Sequence, residues 1–263
     1  MVVFMNEENL IKYYNKFNED KRFTRKYNQV EFITTMKYIH DYLKPEHKII
    51  EIGAGTGKYS ISLAEESYDV TAVELVKHNL KVIEKNSNKV KTILGNAINL
   101  DKIADSTYDL TLLLGPMYHL ITEEEKIKAL KEAIRITKKN GIIMVAYCMN
   151  DYAVITHGFI DNNIKECLDN GEISNRFRTT PKPTDLYSRI TIADIDNLNK
   201  KVGLKRIKII TPDGPSNYLR KTINKMDQET FDLFMDYHFQ TCERSDLMGA
   251  AAHTLDILKN TKK

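Results

Sequence analysis

The sequence predicts an α/β fold built on a mostly parallel sheet, and three observations support this prediction. Short apolar segments alternate with amphipathic segments of helical period, as they do in repeated strand–helix–strand units. A run of closely spaced glycines, from Gly53 to Gly57, directly follows the first apolar segment. The hydrophobic fraction of 42% and the charged fraction of 29% are those of an ordinary globular protein, so 263 residues can bury a core as one domain.

Two helices are predicted ahead of the sheet, within residues 7–43. Apolar and aromatic side chains recur there at helical spacing, first at Leu10, Tyr13, Tyr14 and Phe17 and then at Phe32, Met36, Ile39 and Leu43. Pro45 follows the second helix. The next segment, 48–52, is short and apolar and predicts a buried parallel strand.

Helices and strands then alternate along the chain. The pattern predicts helices over 58–66, 77–86 and 123–139, and strands over 70–74, 90–94, 109–114 and 142–147. We expect Asn140-Gly141 to end the third of these helices. Because ligands of open α/β sheets bind at the carboxyl ends of the strands, we expect the functional site there.

After residue 148 the alternation stops. Residues 149–190 mix asparagine, glycine and proline with aromatic side chains, which predicts an irregular lid. Thr191 is expected to cap a helix that Gly203 ends, before a strand over 204–210. A second insertion is predicted to be largely helical from 217 to 242, and a last strand is predicted over 251–258.

We therefore expect a single domain over residues 1–263. Its parts are the N-terminal helices (1–44), the core (45–148), the lid insertion (149–190), a core helix and strand (191–211), a helical cap insertion (212–245) and the final strand with its tail (246–263).

Composition argues against several classes of protein without excluding nucleic-acid binding. The net charge of +3 is spread along the chain, so no dense basic patch indicates nucleic-acid binding. No apolar run reaches the ~18 residues of a membrane span, and the run from Val2 to Met5 fits no targeting signal. The three cysteines lack CxxC spacing, which favours reduced thiols in a cytoplasmic protein and no metal site.

The strongest local signal is the segment Glu51-Ile-Gly53-Ala54-Gly55-Thr-Gly57, placed between a predicted strand and a predicted helix. Glycines there allow a sharp turn and the close approach of a ligand. A Walker loop needs glycine where this chain has Ile52, and the GxGxxG dinucleotide fingerprint needs glycine where it has Lys58. Both nucleotide interpretations are therefore weakened.

The remaining pattern, acidic-x-Gly-x-Gly-x-Gly, resembles motif I of the class I S-adenosylmethionine-dependent methyltransferases. Glu74 ends the second predicted strand, where an acid in such a site accepts hydrogen bonds from both ribose hydroxyls. Asn96-Ala97 follows the third strand, where the family more often has Asp-Ala. The asparagine carbonyl can still accept a hydrogen bond from the adenine amino group.

This resemblance covers about residues 30–148. It implies a Rossmann-like, mostly parallel seven-stranded sheet flanked by helices, with N-terminal helices and cap insertions, and S-adenosyl-L-methionine as the cofactor. A carboxylate at Glu51 suits the positive ammonium and sulfonium groups of that cofactor. The candidate cofactor-binding residues are Glu51, Gly53, Ala54, Gly55, Gly57, Glu74, Leu75, Asn96, Ala97, Leu114 and Tyr14, the last on a helix that closes the pocket in many relatives.

The segment 115–120, after the fourth strand, is expected to face the transferred methyl group. Gly115 stands where enzymes that methylate planar nitrogens often have Asn or Asp, and it has no side chain to hold a substrate amine. His119 is the candidate catalytic base, because an imidazole titrates near neutral pH; packing under the lid is the alternative. His157 and His238 are weaker candidates, expected at the surface.

The predicted activity is transfer of a methyl group from S-adenosylmethionine to an oxygen or nitrogen of a small-molecule acceptor. Two alternatives are modification of RNA and an inactive cofactor-binding regulatory module. The sequence leaves the oligomeric state open, a homodimer included. Aromatic residues of the insertions are candidates for an apolar acceptor site: Tyr152, Phe159, Phe177, Tyr218, Phe231, Phe234 and Tyr237.

Overall fold

The computed structural model describes residues 5–15 and 24–261, and a seven-stranded sheet forms its centre. The strands are β1 Lys48–Ile52, β2 Asp69–Glu74, β3 Lys91–Leu94, β4 Tyr108–Leu113, β5 Thr137–Cys148, β6 Lys205–Ile210 and β7 His253–Lys259. Their order in the sheet is β3-β2-β1-β4-β5-β7-β6, with β7 antiparallel to both of its neighbours and all other pairs parallel. The strand order reverses direction between β1 and β4, which opens a crevice at their carboxyl ends.

Helices cover both faces of the sheet. They are α1 Met5–Tyr14, α2 Lys26–His40, α3 Lys58–Glu65, α4 Lys77–Asn86, α5 Glu123–Ile136, α6 Asn150–Ala153, α7 Ile164–Asp169, α8 Ile192–Val202, α9 Arg220–Ile223, α10 Gln228–Thr241 and α11 Ser245–Met248. Side chains alternate between the faces along each strand. In β1, Ile50 and Ile52 join the apolar cluster under α5 and α8, whereas Ile49 joins the cluster under α2, α3 and α4.

The predicted α/β fold with a mostly parallel seven-stranded sheet is confirmed, but the predicted end of α5 is wrong. The helix ends at Ile136, not at residue 139, because Thr137 already belongs to β5. The buried Thr137 hydroxyl donates to the Ala133 carbonyl at 2.5 Å and accepts from the Thr111 hydroxyl at 2.6 Å. Asn140 has a φ of +66° within the irregular start of β5, so it does not end a helix.

The predicted helix after the lid is confirmed together with both of its ends. Thr191 accepts a hydrogen bond from the Asp194 amide, and the Asp194 side chain accepts one from the Thr191 amide, which completes a capping box. Gly203 takes the left-handed conformation with φ of +69° directly after the helix.

The two insertions are only partly as predicted. The first one contains α6, a π-helix over Val154–Ile160 and α7 before an irregular stretch, and the second one contains two helices, α9 and α10. The short helix α11 was not predicted, and β7 begins at residue 253, not at 251. Residues 2–4, Phe17, Lys262 and Lys263, which the sequence analysis discussed, lie outside the described residues. The proposed division into six parts remains a prediction.

Among the helices of the described residues, none combines the length and the apolar character that crossing a membrane requires.

Candidate cofactor and acceptor site

The glycine loop after β1 is fixed by its backbone conformation and by one close contact. Gly53, Gly55 and Gly57 all have positive φ, at +71°, +56° and +83°. The amides of Gly53 and Ala54 both donate to the Val73 carbonyl, at 2.8 and 3.1 Å. A Cβ on Gly53 would lie only 2.7 Å from the ring of Pro116, so this position excludes any side chain.

Glu74 ties this loop to the end of β2. One carboxylate oxygen accepts the Gly55 amide at 2.8 Å and the other accepts the Val76 amide at 2.8 Å. The side chain is buried, at 5% exposure, and it lines a cleft above the sheet. A carboxylate has about four lone-pair positions, so such a group can accept more than two hydrogen bonds.

Glu51 is held at the start of α3. Its Oε2 accepts the Ser60 amide at 3.0 Å and also accepts the Ser60 hydroxyl. These donors lie in the first turn of the helix, where the backbone dipole favours a negative charge. The carboxylate is 2% exposed and borders the second of the two clefts described below.

The first cleft has about 830 Å³ of space, including the part that is open to solvent. It brings together eight of the candidate residues, and these are Tyr14, Gly53, Gly55, Glu74, Leu75, Asn96, Ala97 and His119. Gly115, Pro116, Tyr118 and Leu120 also line it, and they come from the segment 115–120 that was expected to face the methyl group. The walls that were not predicted are Glu7, Leu10, Val76, Asn79, Gly95, Ile98 and Glu125.

Helix α1 lies over this cleft and bonds to its far walls. The Tyr14 hydroxyl is 2.8 Å from Nε2 of His119, and the Asn96 amide nitrogen donates to the Glu7 carboxylate at 3.2 Å. The Asn96 carbonyl oxygen accepts the Ile98 amide at 3.2 Å. One wall of the cleft is therefore formed by the N-terminal helix α1.

His119 is buried in this wall, at 9% exposure, with both ring nitrogens engaged. Nδ1 is 2.7 Å from the Leu186 carbonyl, which can only accept, so Nδ1 carries a proton. In the neutral imidazole, Nε2 then accepts from the Tyr14 hydroxyl. The ring also packs on Tyr118 and Tyr187, with centroids 4.7 and 5.2 Å away.

A second cleft of about 600 Å³ adjoins the first, and Gly53, Gly115 and Tyr118 line both. A Cβ on Gly115 would lie 2.9 Å from the Gly53 carbonyl oxygen, so the two glycines permit this close approach. We call the contact between Gly53 and Gly115 the seam. The second cleft contains the predicted residues Glu51, Ala54 and Leu114, together with Glu31, Thr35, Thr56, Lys58, Tyr59, Ala146, Pro212, His253 and Leu255.

Gly57 lines neither cleft, unlike the other glycines of the loop. It caps α3, and a Cβ there would lie 2.8 Å from Ile83. The structure therefore gives Gly57 a helix-packing position and does not place it beside a ligand.

His253, at the start of β7, is a site residue that the sequence reasoning missed. Its Nδ1 donates to the Asp213 carboxylate at 2.7 Å, and Asp213 is fully buried. That carboxylate also accepts from Thr211, Asn217 and the His253 backbone amide. No spacing signals the pair, because the two residues lie 40 positions apart at the ends of different strands.

The charge state of His253 follows from its neighbours. Burial alone would lower the pKa of the imidazole, but Cys148, Asp213 and Glu31 together raise the pKa well above its ordinary value. These negative groups therefore stabilise the protonated form of the ring, and the carboxylate behind it orients the ring. Nδ1 serves this orientation, which leaves Nε2 for contact with a ligand.

The other histidine and aromatic candidates lie outside both clefts. His157 is exposed, as predicted, but the prediction for His238 is wrong: it is fully buried, with Nε2 3.2 Å from the Pro212 carbonyl, and burial lowers its pKa. None of the seven aromatic candidates from the insertions lines either cleft among the described residues. Phe159, Phe177 and Tyr237 project into solvent instead.

Comparison with known proteins matches the core of the chain. A family model described as a methyltransferase domain matches residues 50–145. The chain is 31% identical over 104 residues to the demethylmenaquinone methyltransferase of Paenarthrobacter aurescens, which is 40% of this chain and 40% of that protein. It is 28% identical over 122 residues to the glycine/sarcosine N-methyltransferase of Aphanothece halophytica, or 43% of each chain. The matches thus span about two-fifths of these relatives' length.

Solved structures share the fold over most of the chain. A SAM-dependent methyltransferase from Methanosarcina mazei superposes with a TM-score of 0.59 at 15% identity, covering 86% of this chain and 98% of that one. The geranyl diphosphate C-methyltransferase of Streptomyces coelicolor, solved with S-adenosyl-L-homocysteine, gives a TM-score of 0.59 at 12% identity and covers 97% and 98%. At these identities the likeness concerns the fold.

Proposed function

Since the core of this chain is that of a class I S-adenosylmethionine-dependent methyltransferase, we propose that the protein transfers a methyl group to an oxygen or nitrogen of a small molecule. The family and its cofactor, predicted from the glycine loop and the strand-end residues, are confirmed by the family match and the solved neighbours. The acceptor and the role of each residue are our proposal.

The adenosine part of the cofactor is proposed to occupy the first cleft. Glu74, which lines this cleft at the end of β2, accepts the ribose hydroxyls there. Asn96 and Ala97 border the adenine, and α1 closes over it through Tyr14 and Glu7. Burial in such a cleft excludes water from the ligand.

The methionyl part then crosses the seam toward Glu51. The crossing places the sulfonium methyl between the two clefts, beside Tyr118, which lines both. Methyl transfer is a displacement at carbon, so alignment of nucleophile, methyl and sulfur is the main task. Such positioning contributes up to about 7–11 kcal/mol to rate acceleration.

The acceptor is proposed to bind in the second cleft, against His253. A hydroxyl or ammonium acceptor must lose one proton during methylation. In the neutral form of His253, Nδ1 donates to Asp213 and Nε2 can receive that proton; the same carboxylate then stabilises the imidazolium that forms. His119 remains a predicted base, but its contacts favour a positioning role, holding Tyr14 and α1 over the cofactor.

The observation that carries the proposal is the pair of clefts joined at one seam, with a Glu74-braced glycine loop in the first and the Asp213–His253 pair in the second. The second cleft has about 600 Å³ of space, including the part that is open to solvent, and His253 forms part of its wall. Relatives and neighbours carry names with chemically different small acceptors, namely demethylmenaquinone, glycine or sarcosine, and geranyl diphosphate.

Two experiments test the proposal in sequence. Calorimetry with S-adenosylmethionine, S-adenosylhomocysteine, NAD and ATP should give tight binding of the first two alone, since the loop lacks both phosphate fingerprints. Release of S-adenosylhomocysteine is then followed with panels of small phenols, alcohols, amines and carboxylic acids, and with RNA. Preferred binding of NAD would overturn the cofactor assignment. Methylation of RNA alone would replace the small-molecule acceptor, and tight cofactor binding without any turnover would favour an inactive module.

A further inference from the structure

The first insertion brings together three side chains of metal-binding type. Within the described part of the chain, the donor atoms of His157, Cys167 and Glu172 all lie within 4.8 Å of one another. They line a cleft of their own, separate from the two clefts of the methyl-transfer site. We propose that these three side chains bind a Zn²⁺ ion whose fourth coordination position opens into this cleft.

The backbone brings Cys167 and Glu172 together by a helix-ending turn. After α7, the Glu172 amide donates to the Cys167 carbonyl and the Gly171 amide donates to the Leu168 carbonyl, with Gly171 at φ of +68°. This is a Schellman motif, in which the two outer positions usually carry an apolar contact. Here those positions carry a thiol and a carboxylate, both of which are metal ligands.

His157 enters from a π-helix, a rare conformation that occurs mostly at functional sites. Its Nδ1 lies 3.2 Å from the Asn163 amide and 3.9 Å from the Asp161 carboxylate. The Asn163 amide nitrogen can only donate, so Nδ1 accepts in this contact; binding a metal through Nε2 requires Nδ1 to carry the proton instead and to donate it toward the Asp161 carboxylate. The π-helix, α7 and the turn after it thus each contribute one ligand.

The donor set indicates the kind of metal. A thiolate with an imidazole suits Zn²⁺ and is a poor match for Mg²⁺ or Ca²⁺, which prefer oxygen ligands. Three protein ligands with an open position are typical of zinc sites that face a cavity.

The apolar cluster of the first insertion is small. It consists of Val154, Cys167 and Ile173, with Ile164 packed against them. A metal that joins three segments would supply the stability that so small a cluster does not. This inference does not depend on the proposed methyl transfer.

The test uses the full chain without an affinity tag, after removal of metals by a chelator. Titration with ZnCl₂ should show about one ion bound per chain, and Co²⁺ in its place should give a thiolate charge-transfer absorption. Cys167→Ser should abolish that absorption. His157→Gln and Glu172→Gln, which alter exposed side chains and leave the fold intact, should each weaken zinc binding by about tenfold or more.

The matched control is Cys148→Ser, which removes a different free thiol and should bind zinc as the parent does. Hydrogen exchange over residues 154–173 should slow when zinc is added to the parent and should be unchanged in His157→Gln. The proposal is overturned if the parent binds no zinc, if Cys167→Ser and His157→Gln bind it undiminished, or if Cys148→Ser loses it equally.

Discussion

Glu74 has a structural role in the glycine loop and a proposed role in cofactor binding. Its oxygens fix the amides of Gly55 and Val76 and are proposed to receive the ribose hydroxyls. In Glu74→Gln one oxygen is replaced by an amide donor, which faces a backbone donor and repels it. We expect a loss of about 1.5–3 kcal/mol in S-adenosylhomocysteine affinity, measured by calorimetry.

The matched control for this substitution is Glu65→Gln, at the exposed end of α3. It removes the same charge away from the cleft and should leave the affinity unchanged. Equal affinity of Glu74→Gln and the parent would mean that the ribose does not contact this carboxylate.

Substitution of the two candidate histidines, His253 and His119, is expected to affect different properties of the enzyme. His253→Gln should lower turnover by roughly 10²-fold or more, while the affinity for S-adenosylhomocysteine stays within about twofold, because His253 does not line the cleft proposed for the adenosine part. His119→Gln should instead weaken cofactor binding, because His119 holds Tyr14 over the first cleft.

Both variants are compared by steady-state kinetics with an acceptor from the panel and by calorimetry with the cofactor product. Thermal unfolding of each variant checks that the fold is retained. If His119→Gln lowered turnover alone and His253→Gln had no effect, the proton would be assigned to His119, as the sequence analysis predicted.

At the scale of the element, the cap of α8 supports both the core and the first insertion. The Thr191 hydroxyl accepts the Asp194 amide and also accepts a hydrogen bond from Arg178 of the insertion, at 3.1 Å. Thr191→Ala should lower the free energy of unfolding by about 0.5–2 kcal/mol, measured by urea denaturation. Thr191→Ser, which keeps the hydroxyl, should retain most of that stability; equal loss in both variants would assign the effect to the methyl group.

Elements that depend on local pattern could be predicted from the sequence. Strands β1 to β4 and helices α3, α4 and α8 lie close to their predicted bounds, since their apolar periodicity and capping residues are local signals. The end of α5 could not be predicted, because it depends on the Thr137–Thr111 contact between two strands of the sheet. Local signals thus predict the presence of an element more reliably than they predict the residue at which it ends.

At the scale of the whole molecule, the first cleft could be predicted from local sequence signals, whereas the second could not. The first cleft is built largely from residues that follow consecutive strands, so its glycines, Glu74 and Asn96 could be recognised in order along the chain. The second cleft depends on β7 inserting antiparallel between β5 and β6, which brings His253 beside Cys148. No sequence spacing encodes that insertion, and the Asp213–His253 pair was therefore missed.

Lys126 connects the core to the first insertion and makes the stability of the molecule depend on pH. It is 4% exposed on α5, and its ammonium donates to the Leu120 carbonyl and, at 3.0 Å, to the Ser188 hydroxyl of the insertion. Burial lowers the pKa of this lysine from an ordinary value of 10.5 to about 8. The folded protein therefore releases this proton at a lower pH than the unfolded chain does.

Between about pH 8 and pH 10.5 the unfolded chain binds more protons at this site, so its contribution to the free energy of unfolding rises with pH across that window. The full difference is at most about 3 kcal/mol. We expect the unfolding free energy of the parent, minus that of Lys126→Met, to increase from pH 7.5 to pH 10 in urea denaturation. Lys131→Met, at an exposed position of the same helix, is the control and should show no such slope. A pH-independent difference for Lys126→Met would mean that the buried ammonium keeps its proton throughout, with its hydrogen bonds offsetting the burial.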